Sequence, residues 1–191
     1  MVTKSDLRKI YKAKRQQTDV ETRDLWSIEI ANQLLKLPIW NATYYHVFLT
    51  IPRLLEIETQ YILHLLSGKD KEIVVSKSDF ETREMHHFLL TDNTRIKPNK
   101  LGIPEPISGI PVPVSMLEVV FVPLLVFDKN GHRLGYGKGF YDIFLSQCKP
   151  DTLKIGLSFW EPTDIIPEIT DNDVTLDWVV TPKNTYQFNH H

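Results

Sequence analysis

The sequence predicts an α/β fold: a largely parallel central sheet flanked by helices, in a three-layer, Rossmann-like arrangement. Three observations lead there. Segments of helical period alternate with short β-branched or aromatic runs along most of the chain. One of those runs, Val119 to Phe127 (VVFVPLLVF), is apolar almost throughout, the pattern of a central strand covered on both faces. A glycine-punctuated stretch follows it and leads into another helical pattern, and open parallel sheets bind ligands just beyond their strands' carboxyl ends.

The length of 191 residues suits one domain, with a helical N-terminal part over residues 1–40 and an α/β core over 41–191. Hydrophobic residues at 42% and charged residues at 24% are ordinary for a globular protein, so disorder does not dominate. A formal net charge of -2 argues against a general nucleic-acid binder, which needs a basic surface. The N-terminus is charged and lacks the apolar core of a signal peptide, and no apolar run is long enough to span a membrane. Cys148 is the only cysteine, so no intrachain disulfide forms, and a semi-buried helix position in a reducing, cytoplasmic setting is expected for it. The Asn41-Ala42-Thr43 sequon reads as chance and Asn189-His190-His191 as a ragged end.

Along the chain, residues 4–16 read as a basic helix with Leu7, Ile10, Tyr11 and Lys14 at helical spacing and Ser5 as a cap. A second helix is expected over 20–37, capped by Thr18 or Asp19, stopped by Pro38, with Leu25, Ile28, Leu34 and Leu35 inward. The aromatic, β-branched segment 43–49 predicts a strand, 52–57 a loop, 58–66 a helix ended by Ser67-Gly68, and 72–76 and 85–90 two strands. The proline-rich stretch 91–113 reads as loop. Pro123 should confine the next strand to 119–122, because proline cannot donate to a ladder. A helix over 139–147 and strands over 153–158 and 178–181 complete the expected order, the last closing the chain. His46, in an apolar strand, reads as a satisfied core histidine, and the His86-His87 pair as structural or exposed.

The chemistry concentrates in Arg133-Leu134-Gly135-Tyr136-Gly137-Lys138-Gly139-Phe140-Tyr141-Asp142. Alternating glycines permit positive φ and let successive backbone N–H groups approach an anion. The following helix adds the positive end of its dipole, and Arg133 and Lys138 add full charges. Asp142, one turn into that helix, is suited to a magnesium ion beside phosphate oxygens. The spacing is neither the Walker loop nor the Rossmann fingerprint.

The string from Phe127 through Asp142 resembles the signature of the 5-formyltetrahydrofolate cyclo-ligase (methenyltetrahydrofolate synthetase) family. Four further segments, in order, carry the same resemblance: Lys4-Ser5-Asp6-Leu7-Arg8; Phe48-Leu49-Thr50 with Glu56-Ile57-Glu58-Thr59; Gly102-Ile103-Pro104-Glu105-Pro106; and Asn172-Asp173 ahead of Asp177 to Pro182. The resemblance implies an ATP-dependent ligase that converts 5-formyltetrahydrofolate to 5,10-methenyltetrahydrofolate with magnesium. It implies ATP contacts from Lys4, Ser5, Asp6, Leu7 and Arg8 and from Arg133, Leu134, Gly135, Tyr136, Gly137, Lys138, Gly139, Phe140 and Tyr141. Of these, Lys138, Arg133 and Tyr141 would serve catalysis. Ile51 and Glu58 would meet the pterin, with Tyr136, Gly137, Lys138, Gly139 and Phe140 also near the folate, and Asp142 and Asp173 would hold magnesium. Its partners would be small molecules, with no nucleic acid or membrane, and the chain a monomer or weak dimer. Two residues depart from the family's pattern: Tyr136 stands where arginine is common, and Phe140 replaces the first tyrosine of Tyr-Tyr-Asp. These departures motivate the alternative of a non-catalytic nucleotide- or folate-binding protein on the same scaffold. Fold analogy alone would also allow an isomerase or transferase of sugar phosphates or CoA esters.

Overall fold

The computed structural model describes residues 2–188, so Asn189, His190 and His191 lie outside the described residues. The chain opens with α1 (Lys4–Gln17). Its cap is Thr3, not Ser5: the Thr3 hydroxyl accepts the Asp6 N–H at 3.2 Å and the Asp6 carboxylate accepts the Thr3 N–H at 3.1 Å. This reciprocal box satisfies two donors that a helix start leaves orphaned. Asp19 caps α2 (Val20–Leu34). The inward face of α2 is Ser27, Ile30, Ala31 and Leu34, whereas Leu25 and Leu35, expected inside, are 54% and 43% exposed. The helix stops three residues short of the expected Leu37, so Leu35 falls out of phase with the buried stripe.

Next come β1 (Tyr44–His46), a 3-10 turn (Pro52–Leu54), α3 (Gln60–Ser67), β2 (Glu72–Ser78) and β3 (Met85–Leu89). The stretch expected to be loop contains a small hairpin, β4 (Ile96–Pro98) with β5 (Pro104–Pro106). Then follow β6 (Val119–Pro123), β7 (Val126–Phe127), β8 (Arg133–Leu134), α4 (Phe140–Ser146), β9 (Leu153–Leu157), β10 (Trp178–Val180) and β11 (Thr185–Gln187). Pro123 is the last residue of its strand, opposite Leu157, and the apolar run resumes as a hairpin arm paired with β8. β10 does not close the fold, because β11 returns antiparallel beside it.

Seven strands form one sheet in the order β11-β10-β9-β6-β1-β2-β3. The five inner strands are parallel and each edge strand is antiparallel, so the fold is α/β with a mostly parallel sheet, as the sequence predicts. One face packs on α2 and α3 through Ile30, Leu34, Ile62 and Leu66. The other packs on α4 through Phe144 and Leu145. α1 leaves the layers and leans, through Leu7 and Tyr11, on Leu125, Val126 and Leu134 beyond the sheet's carboxyl edge.

Central packing leaves no room at Gly156 of β9. A Cβ there would sit 2.6 Å from Leu176, 2.7 Å from Leu124 and 3.0 Å from Val179 side-chain atoms. Gly156→Ala is therefore expected to destabilise by about 1–3 kcal/mol through overpacking. A thermal melt equal to wild type would show that these side chains yield freely.

Candidate active site

β1, β2 and β6 end side by side, and a cavity of about 410 Å³ opens past His46, Ser76, Ser78 and Pro123 at their carboxyl ends. A larger hollow of about 550 Å³ lies at the opposite end of the sheet, among Tyr44, Val119 and Leu153 at the strands' first residues. It gathers none of the candidate site residues. The candidate site residues gather instead at the carboxyl-end cavity, the place where open parallel sheets bind ligands.

One wall is the α1 face bearing Lys4, Arg8 and Lys12, spaced one helical turn apart. Facing it is the glycine loop. The Arg8 Nε–H donates to the Gly135 carbonyl at 3.0 Å. The Arg8 guanidinium also stands 3.1–3.2 Å from where a Cβ would sit on Gly137, whose φ is +87°. Close approach and a left-handed backbone both require glycine there. Lys138 is exposed on the loop, and a second hollow of about 320 Å³ beside it brings in Arg83 and Phe80. Of the three cations that charge alone suggests as substitutes for an arginine at position 136 (Lys77, Arg83 and Arg95), Arg83 is the one adjoining this loop.

The two predicted metal carboxylates are held by these cations. Asp142 accepts from Arg133 at 2.6 Å, and Arg133 also donates to the Val174 carbonyl. Asp173 accepts from Lys4 at 3.1 Å and from the Thr170 N–H at 2.8 Å. Burial opposes ionisation of Asp173, but Thr170 and Lys4 together keep its carboxyl below the usual range. Among the described residues no three His, Cys, Asp or Glu side chains converge into a protein-only metal cage. Two carboxylates beside an anion loop suit magnesium that takes its remaining oxygens from phosphate and water. Ser5, Asp6 and Leu7 serve α1 itself: Asp6 is in the cap and Leu7 in the core, and none of the three lines the cavity.

The far wall carries a different carboxylate from the one the resemblance implies. Glu58 is not in the cavity lining, since its carboxylate accepts from the Thr50 hydroxyl and the Gln60 N–H just before α3. The carboxylate in the lining is Glu56, 8% exposed, which accepts the Ile51 N–H at 2.9 Å. Burial pushes its pKa up to about 7, against the Ile51 bond and the nearby Arg15. A signal existed: Glu56 is the lone charge in Leu54-Leu55-Glu56-Ile57. Ile51 lines the cavity.

Tyr136 turns inward. Its phenol accepts from Arg15 Nη1 at 2.5 Å, and burial raises its pKa. Arg15, 3% exposed, also donates to the carbonyls of Leu124 at 2.7 Å and Leu54 at 3.3 Å. Arg15 continues the Leu7–Tyr11 stripe of α1 by one more turn, and that spacing is its one signal in the sequence. Phe140 packs edge-on against Phe80 at 5.0 Å, and Tyr141 leans toward His46 and Phe144. The hairpin β4–β5 closes the rim: Leu101, Ile103 and Pro104 line the cavity, and the Leu101 carbonyl accepts from Arg53 at 2.8 Å. Cys148 lies just past α4 with its thiol pushed up to about 11 by burial, which disfavours the nucleophilic thiolate.

The sequence model of the 5-formyltetrahydrofolate cyclo-ligase family matches residues 1–182. The chain belongs to the 5-formyltetrahydrofolate cyclo-ligase family. Within that family it is 31% identical to the mouse 5-formyltetrahydrofolate cyclo-ligase over 140 residues, 65% of this chain and 67% of that one. It is 28% identical to the Mycoplasma genitalium cyclo-ligase over 160 residues, 83% and 86% of the two chains. Its fold is similar to the solved 5,10-methenyltetrahydrofolate synthetase of Aquifex aeolicus, with a TM-score of 0.84 and 27% identity over 98% of this chain and 94% of that one. These cyclo-ligase relatives make the chain a ligase by family. No helix among the described residues is long and apolar enough to cross a membrane.

Glu56 yields a prediction with a definite sign. Its folded pKa, about 7, lies above its ordinary 4.5, so the fold favours the protonated form. That contribution is fully present below about 4.5 and is lost as pH rises through about 7. Glu56→Gln should therefore gain stability relative to wild type between pH 5 and pH 8, by up to about 3 kcal/mol. Chemical denaturation at the two pH values measures it. A constant difference would mean that the carboxyl titrates normally.

Proposed function

We propose that the chain catalyses the ATP- and magnesium-dependent closure of 5-formyltetrahydrofolate to 5,10-methenyltetrahydrofolate, with release of ADP and phosphate. One observation supports this above the others. A single cavity in a member of this family has a basic helix face and an anion-binding loop on one side and a buried carboxylate on the other. A phosphorylated nucleotide suits the first and the N–H-rich edge of a pterin suits the second.

The formyl oxygen is a poor leaving group until it accepts the γ-phosphoryl of ATP. N10 then bonds to the formyl carbon, the carbon–oxygen bond to phosphate breaks, and the N10 proton departs. Transfer of this kind is accelerated by positioning and by neutralising charge. Lys4, Arg8 and the backbone of Gly135 to Gly139 bind the phosphates, and Lys138 meets the charge that develops on the moving group. Arg133 orients Asp142, and Tyr141 closes the apolar side of the reacting centre. Asp142 and Asp173 would hold magnesium, which supplies further neutralisation of the phosphates. Glu56 takes the pterin contact that the resemblance gave to Glu58, with Ile51 packing beside the ring. The same reading makes the reaction cytoplasmic, its partners small molecules and the chain a monomer or weak dimer.

The deciding experiment mixes protein, ATP, magnesium and 5-formyltetrahydrofolate and follows the methenyl-folate absorbance. No ATP-dependent rise with nucleotide binding intact would instead support a binding protein on this scaffold. Lys138→Ala is expected to lower kcat on the order of 10²-fold or more, by removing charge stabilisation in the transition state. Wild-type turnover in that variant would take Lys138 out of catalysis. In Asp142→Asn the magnesium concentration for half-maximal rate should rise, and an unchanged titration would deny Asp142 that role.

A further inference from the structure

The proposed reaction leaves one cation of the cavity wall unused. Lys4, Arg8, Lys12, Arg53, Arg133 and Lys138 all line the cavity. Most of them already hold protein oxygens. Lys4 donates to Asp173, Arg8 to the Gly135 carbonyl, Arg53 to the Leu101 carbonyl, and Arg133 to Asp142 and the Val174 carbonyl. Lys12 and Lys138 are left without a hydrogen-bond or ion-pair partner among the described residues. Lys138 belongs to the loop tip and has its part in the reaction. Lys12 has none.

Nothing on α1 neutralises Lys12. Its neighbours one turn away are Arg8 and Lys9 on one side and Arg15 and Gln16 on the other. None of these is a carboxylate, and like charges at such spacing repel. Across the cavity, the cations that act on the buried Glu56 are Arg15 and Arg53, not Lys12. The Lys12 ammonium leans instead on the Tyr136 ring, 5.5 Å from its centroid. A ring face attracts a cation but accepts none of its three N–H donors in an ordinary hydrogen bond. Lys12 therefore offers the cavity a full charge with its donors open.

Its place in the cavity indicates which anion it meets. Lys4, at the start of the row, is bonded to Asp173, one of the two carboxylates suited to magnesium. Lys12 stands two turns further along the helix, about 12 Å away by its rise. There the glycine loop reaches the wall that carries Glu56: the Tyr136 phenol donates to the Leu54 carbonyl at 3.4 Å. With the nucleotide on one side of this boundary and the pterin on the other, the anion that crosses it is the γ-phosphoryl. Arg83, although beside the loop, lines the second hollow and not this cavity. We propose that Lys12 is a substrate-contacting residue that binds the γ-phosphate of ATP as it passes to the formyl oxygen. The formyl oxygen bonds to the γ-phosphorus, the bond from that phosphorus to the bridging oxygen breaks, and ADP leaves with the electron pair. Lys12 gives up no proton; its ammonium neutralises charge on the moving oxygens. The inference rests on the cyclo-ligase reading, because it takes ATP and the reduced folate as the cavity's occupants.

Titration calorimetry tests it, with ADP and the β,γ-imido analogue of ATP, each with magnesium, in wild type, Lys12→Gln and Lys12→Arg. Glutamine removes the charge and keeps a good helix former at an exposed position. It should weaken the analogue about 10-fold, the loss of one charge-assisted hydrogen bond, with ADP affinity and melting temperature unchanged. The kcat for methenyl-folate formation should fall at least as far, and Lys12→Arg should restore most of both. Equal affinity of wild type and Lys12→Gln for the analogue overturns the Lys12 proposal alone. Equal losses for ADP and the analogue also overturn it, because the lysine would then act on the whole nucleotide or on the fold. So does a loss confined to 5-formyltetrahydrofolate, which would put the lysine on a folate carboxylate. Wild type that binds neither nucleotide overturns the functional reading as well.

Discussion

Arg15 is the residue on which the cavity's shape depends. One guanidinium, buried and away from solvent, reaches the carbonyls of Leu124 and Leu54 and the phenol of Tyr136. Those three groups belong to the chain leaving β6, the turn before Glu56 and the glycine loop. α1 is thereby fixed to three walls at once, although it belongs to neither helical layer of the sheet. A buried guanidinium is costly unless hydrogen-bonded, so the bonds that Arg15 makes through Nη1 and Nη2 also set the distances between walls, while its Nε is left without a partner. Arg8 adds a second tie one wall over, through the Gly135 carbonyl.

That arrangement separates the cavity into chemically distinct ends. Lys4, Arg8 and Lys12 face the loop, while Glu56 lies behind Tyr136 in an apolar lining. Tyr136 sits on the boundary, its ring within cation–π reach of Lys12 at 5.5 Å and Arg15 at 5.8 Å. An arginine at position 136 would place a third cation beside Arg15 and Lys12. The phenol instead accepts a bond from Arg15, so the departure from the family's common residue is matched by what surrounds it. Phe140 is accommodated likewise, by the Phe80 ring.

Much of this was legible in the sequence because it is periodic or local. The inner parallel strands, the helices and the glycine loop all announce themselves in runs of a few residues. Tertiary pairing was not legible. β1 reads as seven residues from its aromatic, β-branched composition, yet only Tyr44–His46 are assigned to it, and Phe48, Leu49 and Ile51 turn away to line the cavity. The β4–β5 hairpin is hidden by its prolines, which carry no β signal of their own. Glu56 and Glu58 stand in one short motif, and only burial distinguishes them.

The glycine loop is therefore less self-sufficient than its sequence suggests. Its backbone supplies N–H groups and its glycines supply the conformation, but Arg133, its first residue, is committed to Asp142 and Val174. Lys138 remains as the loop's own free-standing charge on an exposed tip. Of the other cations in the lining, Lys4, Arg8 and Lys12 arrive from α1, more than a hundred residues earlier in the chain. A Walker loop brings its lysine, its backbone nest and its helix in one continuous segment. Here the equivalent charges are assembled across the tertiary structure, and the bonds of Arg15 to three oxygens join the other contacts of α1 in holding them there. On the proposed reading, phosphate affinity depends on the docking of α1 as well as on the loop.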